Sequence, residues 1–284
     1  MTALDDPFAR LVTVLQPWLR QVVIIGGWAH QLYRRHPDAQ QLDYSPLSTI
    51  DTDVALPLSL LTHQPDMRAR LLAAGFTEEF LGDDHPPATH YHLASESSGF
   101  YVEFLTPLVG SEYSRKHKRK TTVEIAGVVS QQLRHIEILL RHPWTIDFPV
   151  HAIICKVNIA NPVAFIAQKV LIQAKRGRED RAKDILYIHD TLEVFGARLP
   201  ELRDLWQRSV APQLHNRDAA KVTKAADMFF ADVTDDIRRA SQISAERQLS
   251  PNSIREACRY GFMEVFGQVI PHTAGRFNSK NMGG

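Results

Sequence analysis

Hydrophobic positions change period several times along the chain, and each change predicts an element. Phe8, Leu11, Val12 and Leu15 recur at helical spacing behind Asp6 and Pro7, an N-cap and first-turn proline, and predict a helix ending near Arg20. The β-branched run 22–25 predicts a strand, Gly26 and Gly27 a tight turn, and the residues after them a helix lasting until Pro37. TIDTDVAL, residues 49–56, alternates: Ile50, Thr52 and Val54 face one way and Asp51 and Asp53 the other, before Pro57 stops the ladder. MRARLLAAG predicts a helix closed by Gly75, and THYHLAS with FYVEFL predicts a hairpin turning across residues 97–99, with Glu103 on its second arm. A further strand is predicted at TVEIAG.

Beyond Pro149 the character of the pattern shifts. IICKVNIANP is strand-like until Asn161 and Pro162, which read as an N-cap and first helical residue. Residues 162–176 and 179–195 each run helically into a glycine, Gly177 and Gly196, and DAAKVTKAADMFFADVTDDIRRA continues that period. The expectation is an α+β chain with two parts and a boundary near Val157. Residues 1–156 form a small mixed sheet flanked by helices, and residues 157–284 form a mainly helical lobe. The terminal FNSKNMGG is expected to fray.

Composition narrows the classes. The 284 residues suit two lobes better than one core. With 33 Lys and Arg against 32 Asp and Glu, a net charge of +1 gives no global attraction to nucleic acid or membrane, so any basic site must be local. Cys155 and Cys258 have neither metal-ligand spacing nor a disulfide framework and read as buried thiols of a reducing compartment. The start has no signal-peptide pattern and no run of about 18 apolar residues occurs, so a cytoplasmic protein without a membrane partner is expected.

Chemistry concentrates on the alternating strand. Carboxylates at i and i+2 point the same way, about 6–7 Å apart along the backbone, and can converge on one cation. Mg²⁺ takes hard oxygens from a few carboxylates plus substrate phosphates. Glu103, acidic inside the apolar YVEFL and sharing a face with Tyr101 and Leu105, could supply a third ligand and complete a two-metal clamp. An isolated D-x-D is, however, more often just the polar side of a half-exposed strand. Gly26 and Gly27 would let backbone amides approach phosphate at a helix start, although alone they are explained by a turn. Trp28 excludes a dinucleotide fingerprint, and no P-loop, Ser nucleophile elbow or H-E-x-x-H motif is present.

Three other features carry charge into unexpected places. In residues 163–172 only Gln168 and Lys169 are polar, so Lys169 either snorkels out or faces a phosphate or carboxylate. RGREDRAKD reads as a solvated helix start laced with i, i+4 pairs. Arg115, Lys116, Lys118, Arg119 and Lys120, interrupted by His117, are either a solvated loop or a contact for nucleic-acid phosphates. His90 and His92 lack a third ligand at suitable spacing and read as ordinary strand residues.

IIGGWA, TIDTDVAL and YVEFL, in this order, resemble the DNA polymerase β-type nucleotidyltransferase superfamily, and most of all its bacterial AbiEii-like and toxin-type branch. The resemblance spans roughly residues 20–195. It implies that Asp51, Asp53 and Glu103 are catalytic and bind two Mg²⁺ ions, and that Gly26, Gly27, Lys169, Lys183 and Asp184 bind the nucleotide. Asp184 would orient Lys169, or its neighbours Lys183 or Arg181. The activity implied is NMP transfer from an NTP, ATP among them, to an acceptor hydroxyl. An RNA end, tRNA above all, is the leading acceptor, with the basic run 115–120 contacting it. A protein or aminoglycoside-like hydroxyl, or a non-catalytic nucleotide-binding module, is the alternative, and an antitoxin protein is a possible partner. Glu as the third acid, Trp28, and the DAQQLDYSPLS insertion depart from the family pattern.

Overall fold

A computed structural model describes residues 5–82, 85–93, 99–113 and 121–267. Helix α1 (Asp5–Leu15) leads to β1 (Val23–Ile25), α2 (Gly26–Leu32), β2 (Asp51–Ala55) and α3 (Met67–Ala73). Seven strands follow: β3 (Phe76–Leu81), β4 (Ala88–Leu93), β5 (Tyr101–Pro107), β6 (Thr122–Ile125), β7 (Val128–Leu133), β8 (Trp144–Val150) and β9 (Ile153–Ile159). The rest is helical, with α4 (Pro162–Ile172), α5 (Arg178–Val194), α6 (Leu199–Leu205), α7 (Asn216–Thr223), α8 (Ala225–Phe229), α9 (Asp235–Ile243) and α10 (Pro251–Phe266). The mixed α/β class with a helical C-terminal part is as expected.

Local signals explain most boundaries. Asn161 caps α4 by accepting from the Ala164 amide at 2.8 Å, ahead of Pro162. Asp66 caps α3 in the same way, and Gly75 leaves it at a φ of +88°. Three expectations need correction. Asp6 lies inside α1, which begins at Asp5 and stops at Leu15, with a 3₁₀ turn through Trp18. Pro17 ends the i to i−4 ladder there because it has no N–H to donate. Gly26 and Gly27 do not form a turn before α2; they are its first two residues, and the chain reverses at the single positive φ of Gly26, +62°. The strand β3, FTEEFL, was missed because it is mostly exposed and carries no apolar alternation.

The nine strands form one mixed sheet whose main path runs β3-β4-β5-β2-β1-β9-β8. Strand β2 lies at its middle, antiparallel to β1 and parallel to β5. The far edge of β5 is divided. Its first half pairs with β4, forming the expected hairpin, and its second half with β7, which also pairs with β6. Glu103, opposite His90, is the last residue on the β4 side, and Phe104, opposite Ser130, is the first on the β7 side. One face of this region is core: Val54, Tyr91, Val102 and Phe104 are essentially buried. Phe8 of α1 stacks on Trp28 at 4.1 Å and meets Phe148 edge-on, closing that face.

Helix α5 packs on α2 as well as on α4, α9 and α10, which anchors the helical half to the element beginning at Gly26. The DAQQLDYSPLS insertion is fastened by the same helix. Arg247 donates to Asp190 of α5 at 2.7 Å and to the Ser45 carbonyl at 2.6 Å, while its guanidinium lies over the Tyr44 ring. Among the described residues, no helix is long and apolar enough to cross a membrane.

Candidate functional site

The site grows from register. Asp53 pairs with Ile25 on one side and Glu103 on the other, and paired residues of neighbouring strands share a face. Asp51, Asp53 and Glu103 therefore project together, with Asp51 beside Tyr101. The polar face expected of TIDTDVAL exists and is half-buried, and on it the Thr49 hydroxyl donates to Asp51. Each oxygen of Glu103 has its own neighbour. Gln131 Nε2 donates to Oε2 at 2.9 Å, and His90 Nε2 lies 3.4 Å from Oε1. Both contacts depend on the divided edge of β5, which brings β4 and β7 to the same residue.

Crowding three carboxylates has an electrostatic cost. Burial, then the charge of Asp51, pushes Asp53 up to about 6 against the pull of Lys169, Arg176 and Lys183. Burial, then Asp53 and Asp51, pushes Glu103 up to about 7. Lys169 is the nearest buried cation. Its side chain is 8% exposed, so it does not snorkel, and its Nζ meets Asp184 Oδ1 at 2.6 Å between the rings of Phe165 and Tyr187. Arg176 holds the other oxygen of Asp184 at 3.2 Å. Three carboxylates on one face offer hard oxygens of the kind a divalent cation takes together with phosphate co-ligands. A family model described as nucleotidyltransferase matches residues 7–211, more than two thirds of the chain and the whole of this arrangement.

The chain belongs to this nucleotidyltransferase family. Nucleotidyltransferases generally use a divalent metal, in keeping with the acidic face. The comparison with curated proteins gives no match.

In this nucleotidyltransferase the glycine pair has a reason that the sequence did not show. A Cβ on Gly26 would overlap the Asp53 carboxylate, with Asp53 Cγ already at 3.0 Å. One on Gly27 would meet Thr49 Cγ2 at 2.6 Å and the Tyr187 hydroxyl at 2.7 Å. The glycines let β2 and α5 close on the start of α2. Lys183 lies in the same field, since its charge is felt at Asp53, and its ammonium sits 5.6 Å from the Tyr187 ring centroid. Arg181, a possible partner of Asp184, instead pairs with Asp236 at 2.8 Å.

Several neighbours were invisible as site residues in the sequence. Thr49, His90, Gln131, Arg176 and Tyr187 come from five separate segments; Thr49, His90 and Arg176 stood in sequence patterns, but none of the five was marked for this site. Glu79 of β3 lies with His90 and His92 in metal-ligating range, its carboxylate 2.7 Å from His92 Nε2. Cross-strand pairing supplies it, which linear spacing cannot reveal. A second such group, His189, Asp190 and Glu193, is already engaged by Arg247 and Tyr44. The basic run Arg115, Lys116, Lys118, Arg119 and Lys120 lies outside the described residues.

Proposed function

We propose that the enzyme moves an NMP from an NTP to the hydroxyl of an RNA end, tRNA above all, with Mg²⁺ held by Asp51, Asp53 and Glu103. The observation that carries this reading is the placement of the three carboxylates on one sheet face, within the field of the buried, Asp184-paired Lys169. Two Mg²⁺ ions at such a set would bind triphosphate oxygens and lower the pKa of the acceptor hydroxyl. The chain's own groups then have separate tasks. Lys169, fixed by Asp184, and Lys183 offset triphosphate charge. The Gly26–Gly27 start of α2 lets Asp53, Thr49 and Tyr187 close up beside the carboxylates. Glu103, besides holding metal, serves as the base for the hydroxyl proton. The acceptor oxygen forms its bond to the α-phosphorus as the bridging bond to the β-phosphate breaks, and pyrophosphate leaves.

Residues 1–156 would act as the transferase core and residues 157–284 as a helical domain that closes over it. The basic run 115–120 joins Tyr113 to Thr121 and supplies local positive charge suited to RNA phosphates. The same motifs favour the AbiEii-like, toxin-type branch, for which a co-expressed antitoxin protein would copurify. A cytoplasmic setting accords with an NTP donor and two buried free thiols.

The test incubates the protein with each labelled NTP, Mg²⁺ and total RNA, beside Asp51→Ala and Asp53→Asn. Label on RNA that both variants lose supports the reading. Transfer retained by Asp53→Asn in a folded protein would sink the site assignment, and label on protein or small molecules alone would replace the acceptor.

A further inference from the structure

A cavity of about 420 Å³ opens between β7 and the end of α4. It touches the centre at two points. Gln131, in its wall, donates to Glu103, and Arg176, also in its wall, holds Asp184. In strand order it lies on the Glu103 side of Asp53, whereas Gly26 lies on the β1 side. With the triphosphate placed at Lys169, the Gln131 end of this cavity, against Glu103, is left to the acceptor.

Its lining says what kind of acceptor. Arg134 Nε and Lys175 Nζ both reach the same oxygen of Glu112, at 2.9 and 3.2 Å. Two cations on one carboxylate leave one positive charge, the complement of one phosphodiester. That surplus repels a polycationic small molecule such as an aminoglycoside. Deeper in, Gln131, Gln132 and Gln168 present amides that can donate to and accept from a base edge, and Leu171 and Ile172 offer an apolar wall. The volume suits one nucleotide and is too small for a duplex.

We infer that this cavity binds the 3′-terminal nucleotide of a single-stranded polynucleotide acceptor, with the penultimate phosphodiester displacing Glu112 from Arg134 and Lys175. The inference rests on the RNA-acceptor reading above and deepens it.

The test measures anisotropy of a 5′-fluorescent oligoribonucleotide with a free 3′ end, together with steady-state transfer, for wild type, Arg134→Ala, Lys175→Ala and Glu112→Gln. All three side chains lie at the surface, so the fold survives, and circular dichroism checks it. We expect Arg134→Ala and Lys175→Ala each to raise the oligonucleotide Kd and the acceptor KM about tenfold, with NTP KM and kcat unchanged. Glu112→Gln should lower both acceptor constants severalfold, because it removes the competing anion. Wild-type labelling of RNA with unaltered acceptor constants in the variants overturns the inference and leaves the reading standing. A raised NTP KM with unchanged acceptor KM overturns it by making the cavity the donor's base site. No binding and no labelling of RNA by wild type, with transfer to another acceptor, removes both.

Discussion

Glu103 is where the cost of the site can be read as stability. Glu103→Gln removes one of three clustered charges but keeps the shape and an oxygen for the Gln131 amide. In the folded chain Glu103 titrates near 7, against an ordinary 4.5. At about 1.4 kcal/mol per pH unit, that difference opposes folding by roughly 3 kcal/mol once the group is ionised. The side chain is 19% exposed, and solvent screening reduces the expected figure to about 2 kcal/mol. The sign follows from proton counts. Between pH 4.5 and 7 the unfolded chain has released a proton that the folded chain retains, so stability falls as pH rises through this window, and the full cost is present above it. Below pH 4.5 both states are protonated and the cost vanishes. In EDTA at pH 8 the variant should therefore melt roughly 4 °C above wild type, while near pH 4.5 the two should coincide. His30 acts in the opposite direction, since burial lowers it to about 4 and acidification charges it only in the unfolded chain. That contribution is common to both proteins and cancels in the difference. Mg²⁺ added at pH 8 should raise the wild-type transition more than the variant's and narrow the gap. Equal melting temperatures in EDTA at pH 8, or a gap undiminished at pH 4.5, would refute the electrostatic reasoning.

Two further outcomes follow from the same centre. Gly26→Ala places a Cβ in the Asp53 carboxylate at a φ of +62°, so thermal melting should show a loss of about 2 kcal/mol or more, and transfer should fall at least a hundredfold. Lys169→Met keeps the apolar packing of α4 but leaves Asp184 with Arg176 alone, which should cost about 2–3 kcal/mol in denaturant titration. Its NTP KM should rise more than tenfold, and an unchanged KM would remove Lys169 from the donor site.

What could be read in the sequence was whatever repeats at short range. The alternation of TIDTDVAL placed Asp51 and Asp53 on one face because strand side chains alternate without regard to tertiary context. Asn161 and Pro162 marked the start of α4 because capping satisfies local amides. An apolar setting marked Lys169 because a buried ammonium requires an anion, and the structure supplies Asp184. What could not be read depends on which strands meet. Glu103 stood out as an acid among apolar residues, yet its contact with Gln131 exists only because β4 releases the edge of β5 after Glu103 and β7 takes it up at Phe104. The Gly26–Gly27 pair looked like a turn or a phosphate cradle, whereas its close contacts are with Asp53, Thr49 and Tyr187, two of them brought by β2 and the approach to it and one by α5. Gly26 and the two aspartates lie within thirty residues and give a sequence signature. The cavity beyond Glu103 is assembled from segments between Ala88 and Arg176, joined by strand pairing and one helix end, and has no linear pattern by which it could be recognised. The family of this enzyme is therefore legible in short-range motifs, while the cavity next to Gln131 is legible only in tertiary contacts.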